Sequence, residues 1–436
     1  MADKEKADEE KLTRKSWLKE HGYNIDPFSP ESVRAEADVL LGGEKSQDGS
    51  AFVEFPYYET ILGDVGIPGP RFIFTERGGG KTALRIKIQK KFDKNLIDGL
   101  KNPILAVTYN KFDRVLNREE VNHNSKNVVP RHHVDEIIRL IVKGLFKALV
   151  VNQETFKDNV LNEERTKQLL NWYVTEYRAF QPWDLDQLLG DIYGAGYFFS
   201  EKKIEKLLKG GIDIVSSALP EVAQRAVETL TSFFSVEEPM SISKNDISIV
   251  EALEELIRLC VRIGFKAVYV LIDDVDEPQY YGKKLDFHPA FDLIKPLASA
   301  PKIIGISGLV FKFFLPIEIR PWCLQTFRLD KFSELVIKWT YRDLNNVYET
   351  RIEICTRDEK NDKRFHDLQA LCGDDLAGKI DQWIVDFAKE MGNPRALIYV
   401  GNEMLVEHFR TERSKDVLIP RAAWERARQR AEEVLR

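Results

Sequence analysis

The sequence predicts an α/β fold with a three-layer core around a parallel sheet, a large helical insertion and a helical C-terminal lid. Three observations predict it. Short apolar runs, typical of buried parallel strands, alternate with segments whose apolar residues recur every three or four positions. A long, mostly helical stretch, residues 113–245, interrupts this alternation, and the chain beyond residue 330 is again helical in pattern. This order of elements favours helices packed against both faces of a sheet.

Strands are predicted where apolar runs are bounded by polar or turn-forming residues. The predicted strands are Arg71–Thr75, Ile104–Thr108, Ala267–Ile272, Lys302–Ile306 and Cys323–Leu329. Helices are predicted where apolar residues have helical spacing. These segments are Lys81–Lys94, Val134–Val151, Arg165–Tyr177, Ile204–Leu208, Val222–Phe234, Ile249–Ile263, Lys331–Val347, Asp381–Met391, Pro394–Phe409 and Arg421–Leu435.

The chain of 436 residues has room for roughly two or three domains. Residues 1–19 are highly charged and are predicted to be a disordered or frayed helical arm, with ordered structure beginning near Trp17. The α/β core is predicted in two parts, residues 20–112 and 246–330, on either side of the insertion at 113–245. Residues 331–436 are the predicted lid.

Composition limits the class of protein. The net charge of −6 gives no overall attraction to nucleic acid, so DNA or RNA is not favoured as a partner. No apolar stretch reaches the ~20 residues of a membrane span, and residues 1–19 lack the apolar segment of a signal peptide. The four cysteines are widely spaced, without a CxxC pair. We therefore expect a cytoplasmic protein that does not contact the membrane.

A glycine-rich loop follows the first predicted strand. Thr75-Glu-Arg-Gly-Gly-Gly-Lys81-Thr82 matches the P-loop pattern G-x-x-x-x-G-K-[ST], except that threonine replaces the first glycine. Backbone N–H groups of such a loop bind phosphates, and the next helix adds its positive dipole end. Lys81 is expected to reach the β- and γ-phosphates, and the Thr82 hydroxyl to hold Mg²⁺. The predicted ATP-binding residues are Arg77, Gly78, Gly79, Gly80, Lys81, Thr82 and Ala83.

The shape of this loop and its role as a ligand site both remain open. Threonine tolerates positive φ poorly, so the start of the loop at Thr75 is expected to be shaped differently. The segment could also be a glycine-rich turn that binds no ligand.

Acidic residues follow the predicted strand Ala267–Ile272. A buried strand carries such residues to the carboxyl edge of the sheet, where ligands bind in open α/β sheets. Asp273 is predicted to bind Mg²⁺ through water, and Asp274 to orient or deprotonate the attacking water. Glu277 is the alternative base. Alone, these acids could be a solvated loop, but together with the Gly-Lys-Thr loop they favour a nucleotide site.

The two motifs together resemble those of the AAA+/STAND branch of P-loop ATPases, over about Phe52–Phe409. The resemblance implies a P-loop core, ATP and Mg²⁺ as ligands, and ATP hydrolysis. It implies that the strand Lys302–Ile306 lies beside the P-loop strand, with Ser307 in the sensor 1 position. It implies that Arg320 is an arginine finger for a neighbouring subunit, and Gly392-Asn-Pro394-Arg395 resembles both the STAND G-x-P element and the sensor 2 arginine.

Ordinary structural roles remain open for the last two features. Arg320 could be a surface arginine, and Gly392-Asn-Pro394 could be a plain helix start with proline at the first position.

The sequence therefore predicts an ATP-dependent molecular switch in intracellular signalling or defence. We expect ATP to bind between the core and the lid, a homo-oligomer in the ATP state, and a protein partner or effector that contacts the insertion. One alternative is a DNA-acting AAA+ ATPase that regulates transposition or initiation, which the acidic composition disfavours. Another is a nucleotide-bound scaffold that does not hydrolyse ATP, in keeping with Thr75.

Overall fold

A computed structural model describes much of the chain, in ten segments. The segments are residues 14–23, 26–28, 58–62, 69–151, 164–177, 247–277, 286–327, 332–356, 367–411 and 418–435. The predicted helices Ile204–Leu208 and Val222–Phe234 lie outside them. Among the described helices, none is long and apolar enough to span a membrane.

Five strands in the described part of the chain form one parallel sheet. They are β1 (Arg71–Thr75), β2 (Ile104–Tyr109), β3 (Ala267–Ile272), β4 (Leu309–Pro316) and β5 (Ser333–Val336). Their order across the sheet is β2-β3-β4-β1-β5. Ile104 lies opposite Ala267 where β2 pairs with β3, and Val268 lies opposite Leu309 where β3 pairs with β4. The predicted α/β class and the strands β1 to β3 are confirmed.

The described helices follow the strands along most of the chain. They are α1 (residues 14–20), α2 (Tyr58–Leu62), α3 (Lys81–Ile97), α4 (Asp113–Leu116), α5 (Pro130–Val151), α6 (Glu164–Glu176), α7 (Ile249–Ile263), α8 (His288–Ala298), α9 (Pro301–Ile304), α10 (Arg320–Thr326), α11 (Tyr341–Thr356), α12 (Ile380–Glu390), α13 (Pro394–Thr411) and α14 (Arg421–Leu435). Short 3₁₀ turns lie at Ser125–Asn127, Ile317–Ile319 and Gln369–Leu371.

The last two strands lie at other positions than predicted. The strand prediction for Lys302–Ile306 is wrong, because these residues form α9 and a turn, and β4 begins only at Leu309. The strand prediction for Cys323–Leu329 is also wrong, because α10 extends to Thr326. The strand β5 lies inside the segment Lys331–Val347, which was predicted as a helix. In that segment the helix begins only at Tyr341.

Helix α7 shows how local sequence sets the boundaries of an element. The Ser248 hydroxyl accepts a hydrogen bond from the Glu251 N–H at 3.2 Å, and the Glu251 carboxylate accepts one from the Ser248 N–H at 3.1 Å. This capping box satisfies two N–H groups that the helix leaves without partners. Gly264 ends the helix with φ 127°, a conformation that favours glycine. The chain then enters the buried strand β3.

Helix α5 packs against β2, although it lies in the segment predicted as an insertion. A Cβ atom built on Gly144 would lie 2.8 Å from Cγ1 of Val107, so the close approach requires glycine here. The apolar face of α5 is buried, including Ile137, Ile141 and Leu145. Helix α5 therefore contributes a layer of the core.

The chain divides into two compact units. The glycine-loop unit consists of Met1–Ile61, Phe74–Lys87 and Val336–Arg436, and the sheet unit consists of Leu62–Ile73 and Ile88–Leu335. In the glycine-loop unit, α1 overlaps the end of the predicted arm, and its Trp17 is fully buried.

Candidate functional site

The glycine-rich loop connects β1 to α3, as predicted. Gly78 and Gly80 have φ 79° and 87°, where a side chain is disfavoured. The Gly79 N–H donates a hydrogen bond to the Glu76 carbonyl at 2.9 Å, and the Leu84 N–H donates to the Gly80 carbonyl at 2.9 Å where α3 starts. Alternating backbone conformations of this kind form anion-binding concavities lined by N–H groups.

Thr75 fits the loop without positive φ. It is the last residue of β1, it is 1% exposed, and it is not among the residues with positive φ. A Cβ atom built on Gly79 would overlap the Thr75 hydroxyl oxygen. The side chain present at position 75 therefore occupies the space left by the side chain absent at position 79, which explains how the loop accommodates the threonine.

Lys81 and Thr82 are the first two residues of α3, where the helix leaves N–H groups without partners. Lys81 is half-buried and Thr82 is exposed. Of the neighbouring predicted residues, Arg77 is exposed and Ala83 is half-buried. The seven residues predicted to bind phosphate thus form one continuous loop and helix start.

The turn before α13 lies against the start of this loop, within the glycine-loop unit. A Cβ atom built on Gly78 would lie 2.5 Å from Cβ of Arg395 and 3.1 Å from Oδ1 of Asn393. A Cβ atom built on Gly392, which has φ 75°, would lie 2.7 Å from Oε2 of Glu76. Glycines at 78 and 392 therefore allow the loop and the turn to pack closely.

The same turn also starts α13. The Asn393 side-chain oxygen accepts a hydrogen bond from the Ala396 N–H at 3.1 Å, as an N-cap residue does. Pro394 is buried as the first residue of the helix, and the Arg395 side chain is exposed. The turn thus serves as a helix start and also brings Arg395 beside the glycine-rich loop.

The acids after β3 lie in the sheet unit. Asp273 is fully buried, and its N–H donates a hydrogen bond to the Tyr109 carbonyl at 3.2 Å. Asp274 is half-buried with φ 59°, which is uncommon outside glycine and is often found at functional sites. The Glu277 N–H donates to the Asp274 carbonyl at 3.4 Å. The chain therefore turns between Asp274 and Glu277, directly after Asp273.

Two residues that contact the predicted motifs were not found from the sequence. Asn110, directly after β2, donates a hydrogen bond from Nδ2 to Oδ2 of Asp274 at 3.0 Å. Trp339 donates from Nε1 to the Gly79 carbonyl at 3.1 Å. A polar residue at the carboxyl end of a predicted strand could have indicated Asn110, whereas the sequence around Trp339 carries no comparable signal.

Ser307 and Arg320 have different surroundings from those expected. Ser307 is exposed in the turn before the amino end of β4, because the strand expected to end at Ile306 does not exist. The strand beside β1 is β4, so its carboxyl end is at Pro316 and not at Ser307. Arg320 begins α10 and forms an ion pair with Glu334 on β5, at 2.9 Å.

Each set of residues, considered by itself, offers groups that bind one part of a nucleotide with a divalent cation. The glycine-rich loop and the start of α3 offer N–H groups and a lysine to phosphates. The carboxylate of Asp273 and the hydroxyl of Thr82 are oxygen ligands of the kind that Mg²⁺ prefers. Comparisons with models of protein families, with curated proteins and with solved structures found no match for this chain.

Proposed function

We propose that this protein is an ATP-binding and ATP-hydrolysing molecular switch of the AAA+/STAND type that acts in intracellular signalling or defence. One observation carries the proposal: the turn Gly392–Arg395 packs against the start of the glycine-rich loop, close to Gly78. A nucleotide bound by the loop would be within reach of an arginine on the lid.

The loop supplies the groups that bind phosphates. Gly78 and Gly80 have backbone conformations typical of N–H-lined anion sites, and the dipole of α3 favours negative charge at its first turn. Lys81, at the first position of α3, provides a positive charge for the β- and γ-phosphates. These features support ATP as the ligand.

Hydrolysis is assigned to the acids after β3. Mg²⁺ would supply positive charge that neutralises the phosphates. Thr82 and Asp273 each offer an oxygen ligand for the cation, and Asp274 would accept a proton from the attacking water. The hydrogen bond from Asn110 orients the Asp274 carboxylate, which supports Asp274 as the base.

The switch depends on Arg395. A ligand shifts a conformational equilibrium only by its different affinity for the two states. Arg395 can interact with a γ-phosphate but finds less to bind in ADP. Since Arg395 is on the first turn of α13, this difference would act on the helices of the lid. The homo-oligomer and the protein effector belong to the same proposal.

Thermal unfolding with and without ATP and Mg²⁺ tests the proposal. Wild-type protein should gain ~2.7 kcal/mol at a ligand concentration one hundred times the dissociation constant. Lys81→Ala should lose the gain, because it removes the charge opposite the phosphates. Lys94→Ala, an exposed lysine on the same helix, is the matched control and should keep the gain. An equal gain in Lys81→Ala and wild type would contradict the assignment of the loop.

A further inference from the structure

The indole of Trp339 is fixed against the glycine-rich loop. Its Nε1–H donates a hydrogen bond to the Gly79 carbonyl at 3.1 Å, and the residue is 4% exposed. The N–H of Gly79 is also engaged, since it donates to the Glu76 carbonyl at 2.9 Å. Both polar groups of Gly79 therefore have defined partners.

The hydrogen bond from Trp339 sets the direction of the next N–H group. In a planar trans peptide the carbonyl and the following N–H point in opposite directions. Because the Gly79 carbonyl points towards Trp339, the Gly80 N–H points away from it. Gly80 has φ 87° and directly precedes Lys81, at the centre of the predicted phosphate site.

Three hydrogen bonds hold the backbone segment 337–340, which contains Trp339. The Ile337 N–H donates a hydrogen bond to the Phe74 carbonyl of β1 at 2.8 Å. Lys389 on α12 donates from Nζ to the Trp339 carbonyl at 3.1 Å. Thr340 directly precedes α11, and its N–H donates to the Asp343 carboxylate at 2.9 Å. The segment therefore links β1 and the glycine-rich loop with two helices of the lid.

We propose that Trp339 is a positioning residue that presets the Gly80 N–H to bind a phosphate oxygen. The inference rests on the proposed nucleotide site. A peptide group that is already oriented needs no rearrangement when the ligand binds, so part of the entropic penalty of binding is avoided.

Trp339→Phe tests this role, because it keeps an aromatic ring and removes the N–H donor. Binding of ADP with Mg²⁺ and of pyrophosphate with Mg²⁺, measured by calorimetry, should weaken by about 2- to 10-fold, the range expected for one hydrogen bond. Pyrophosphate has no base or sugar, so an equal loss for both ligands locates the effect at the phosphates. Trp383→Phe, a half-buried tryptophan on α12, is the matched control and should bind both as wild type does.

A measurement on wild-type protein covers the case in which Trp339→Phe does not fold. In protein with ¹⁵N-labelled tryptophan, the Trp339 indole N–H resonance should shift when pyrophosphate with Mg²⁺ is added, and the Trp383 resonance should not. If wild type binds these ligands but Trp339→Phe binds them equally well, or the Trp339 resonance stays unchanged, the inference is wrong and the nucleotide site stands. If wild type binds no ligand, both proposals are wrong.

Discussion

Asn110 donates a hydrogen bond from Nδ2 to the Asp274 carboxylate at 3.0 Å. Each residue follows a strand, Asn110 after β2 and Asp274 after β3, and the parallel register of these strands pairs Tyr109 with Ile272. Asp274 also has φ 59°, a backbone conformation that is uncommon in residues other than glycine. The backbone turn and the amide together give this carboxylate a defined direction, as a general base requires.

For hydrolysis, we expect Asp274→Asn to bind ATP but to turn over about 10²- to 10⁴-fold more slowly, because an amide cannot accept the proton of water. Asp273→Asn should lower both the rate of ATP hydrolysis and the dependence of that rate on Mg²⁺. Phosphate release and ATP binding, measured on the same samples, separate the two effects. If Glu277→Gln stops turnover while Asp274→Asn does not, Glu277 is the base.

For the lid, we expect Arg395→Ala to reduce the difference between the ATP- and ADP-bound conformations while largely retaining ADP binding. The reason is that the lost guanidinium interacts with the γ-phosphate in our proposal. Hydrogen exchange over residues 381–409 measures this difference. Arg421→Ala, on α14, is the control and should behave as wild type. Equal protection of wild type with ATP, with ADP and without nucleotide would rule out the lid contact.

For assembly, we expect ATP to favour a homo-oligomer in which Arg320 reaches the nucleotide of the next subunit. Arg320 must then leave Glu334, to which it donates hydrogen bonds from Nε and Nη2 at 3.2 and 2.9 Å. Arg320→Ala should lower turnover by ~10³-fold. A mixture of Arg320→Ala and Lys81→Ala proteins should exceed the summed activity of the two. A monomeric, fully active Arg320→Ala protein would exclude this role.

For pH dependence, we expect Lys312 to make the protein more stable as the pH rises above 7. Lys312 is 2% exposed in β4, its Nζ donates to the Gly69 carbonyl at 3.2 Å, and it lies 5.5 Å from the centre of the Tyr269 ring. Burial, and then the charge of Arg71, lower its pKa from 10.5 to about 7. Between these values the unfolded chain binds a proton that the folded protein does not bind. The free energy of unfolding therefore rises with pH, by at most about 1.4 kcal/mol per pH unit.

Urea unfolding of wild type and Lys312→Met from pH 6 to pH 10 checks this expectation. The variant should be the more stable protein at pH 7 and below, because it buries no charge, and the two should converge as the pH approaches 10. Lys302→Met, at an exposed position on α9, should show no such trend. A difference between wild type and Lys312→Met that is the same at every pH would contradict the assigned pKa.

The elements that were predicted correctly have a clear local sequence pattern. β1, β2 and β3 each contain three or more consecutive apolar residues, and α12 to α14 have apolar residues at helical spacing. β4 was missed because Lys312 interrupts its apolar run, and burial of a lysine inside a sheet has no local signature. β5 was missed because its four residues alternate little between apolar and polar, as in a short edge strand.

The residues of the candidate site also fall into two groups, those with a local sequence pattern and those without one. The glycine-rich loop and the acids after β3 depend on local sequence and were found from it. The contacts of Trp339 with Gly79 and of Asn110 with Asp274 join residues 260 and 164 positions apart. Such contacts depend on tertiary packing, which a single sequence does not reveal. Ser307 was expected at the carboxyl end of a strand because residues 302–306 were predicted as a strand, and these residues form a helix and a turn instead.

The Thr75 side chain occupies the space that a side chain at position 79 would need. This relationship affects how related chains could be recognised from sequence. The usual P-loop pattern requires glycine at the first position and leaves the fifth unrestricted. Here the fifth position, Gly79, must be glycine, because a Cβ atom there would overlap the Thr75 hydroxyl. A search pattern that requires glycine at the first position excludes such a chain. A pattern that requires glycine at either the first or the fifth position would retain it. In such chains, a side chain at the first position is compatible only with glycine at the fifth.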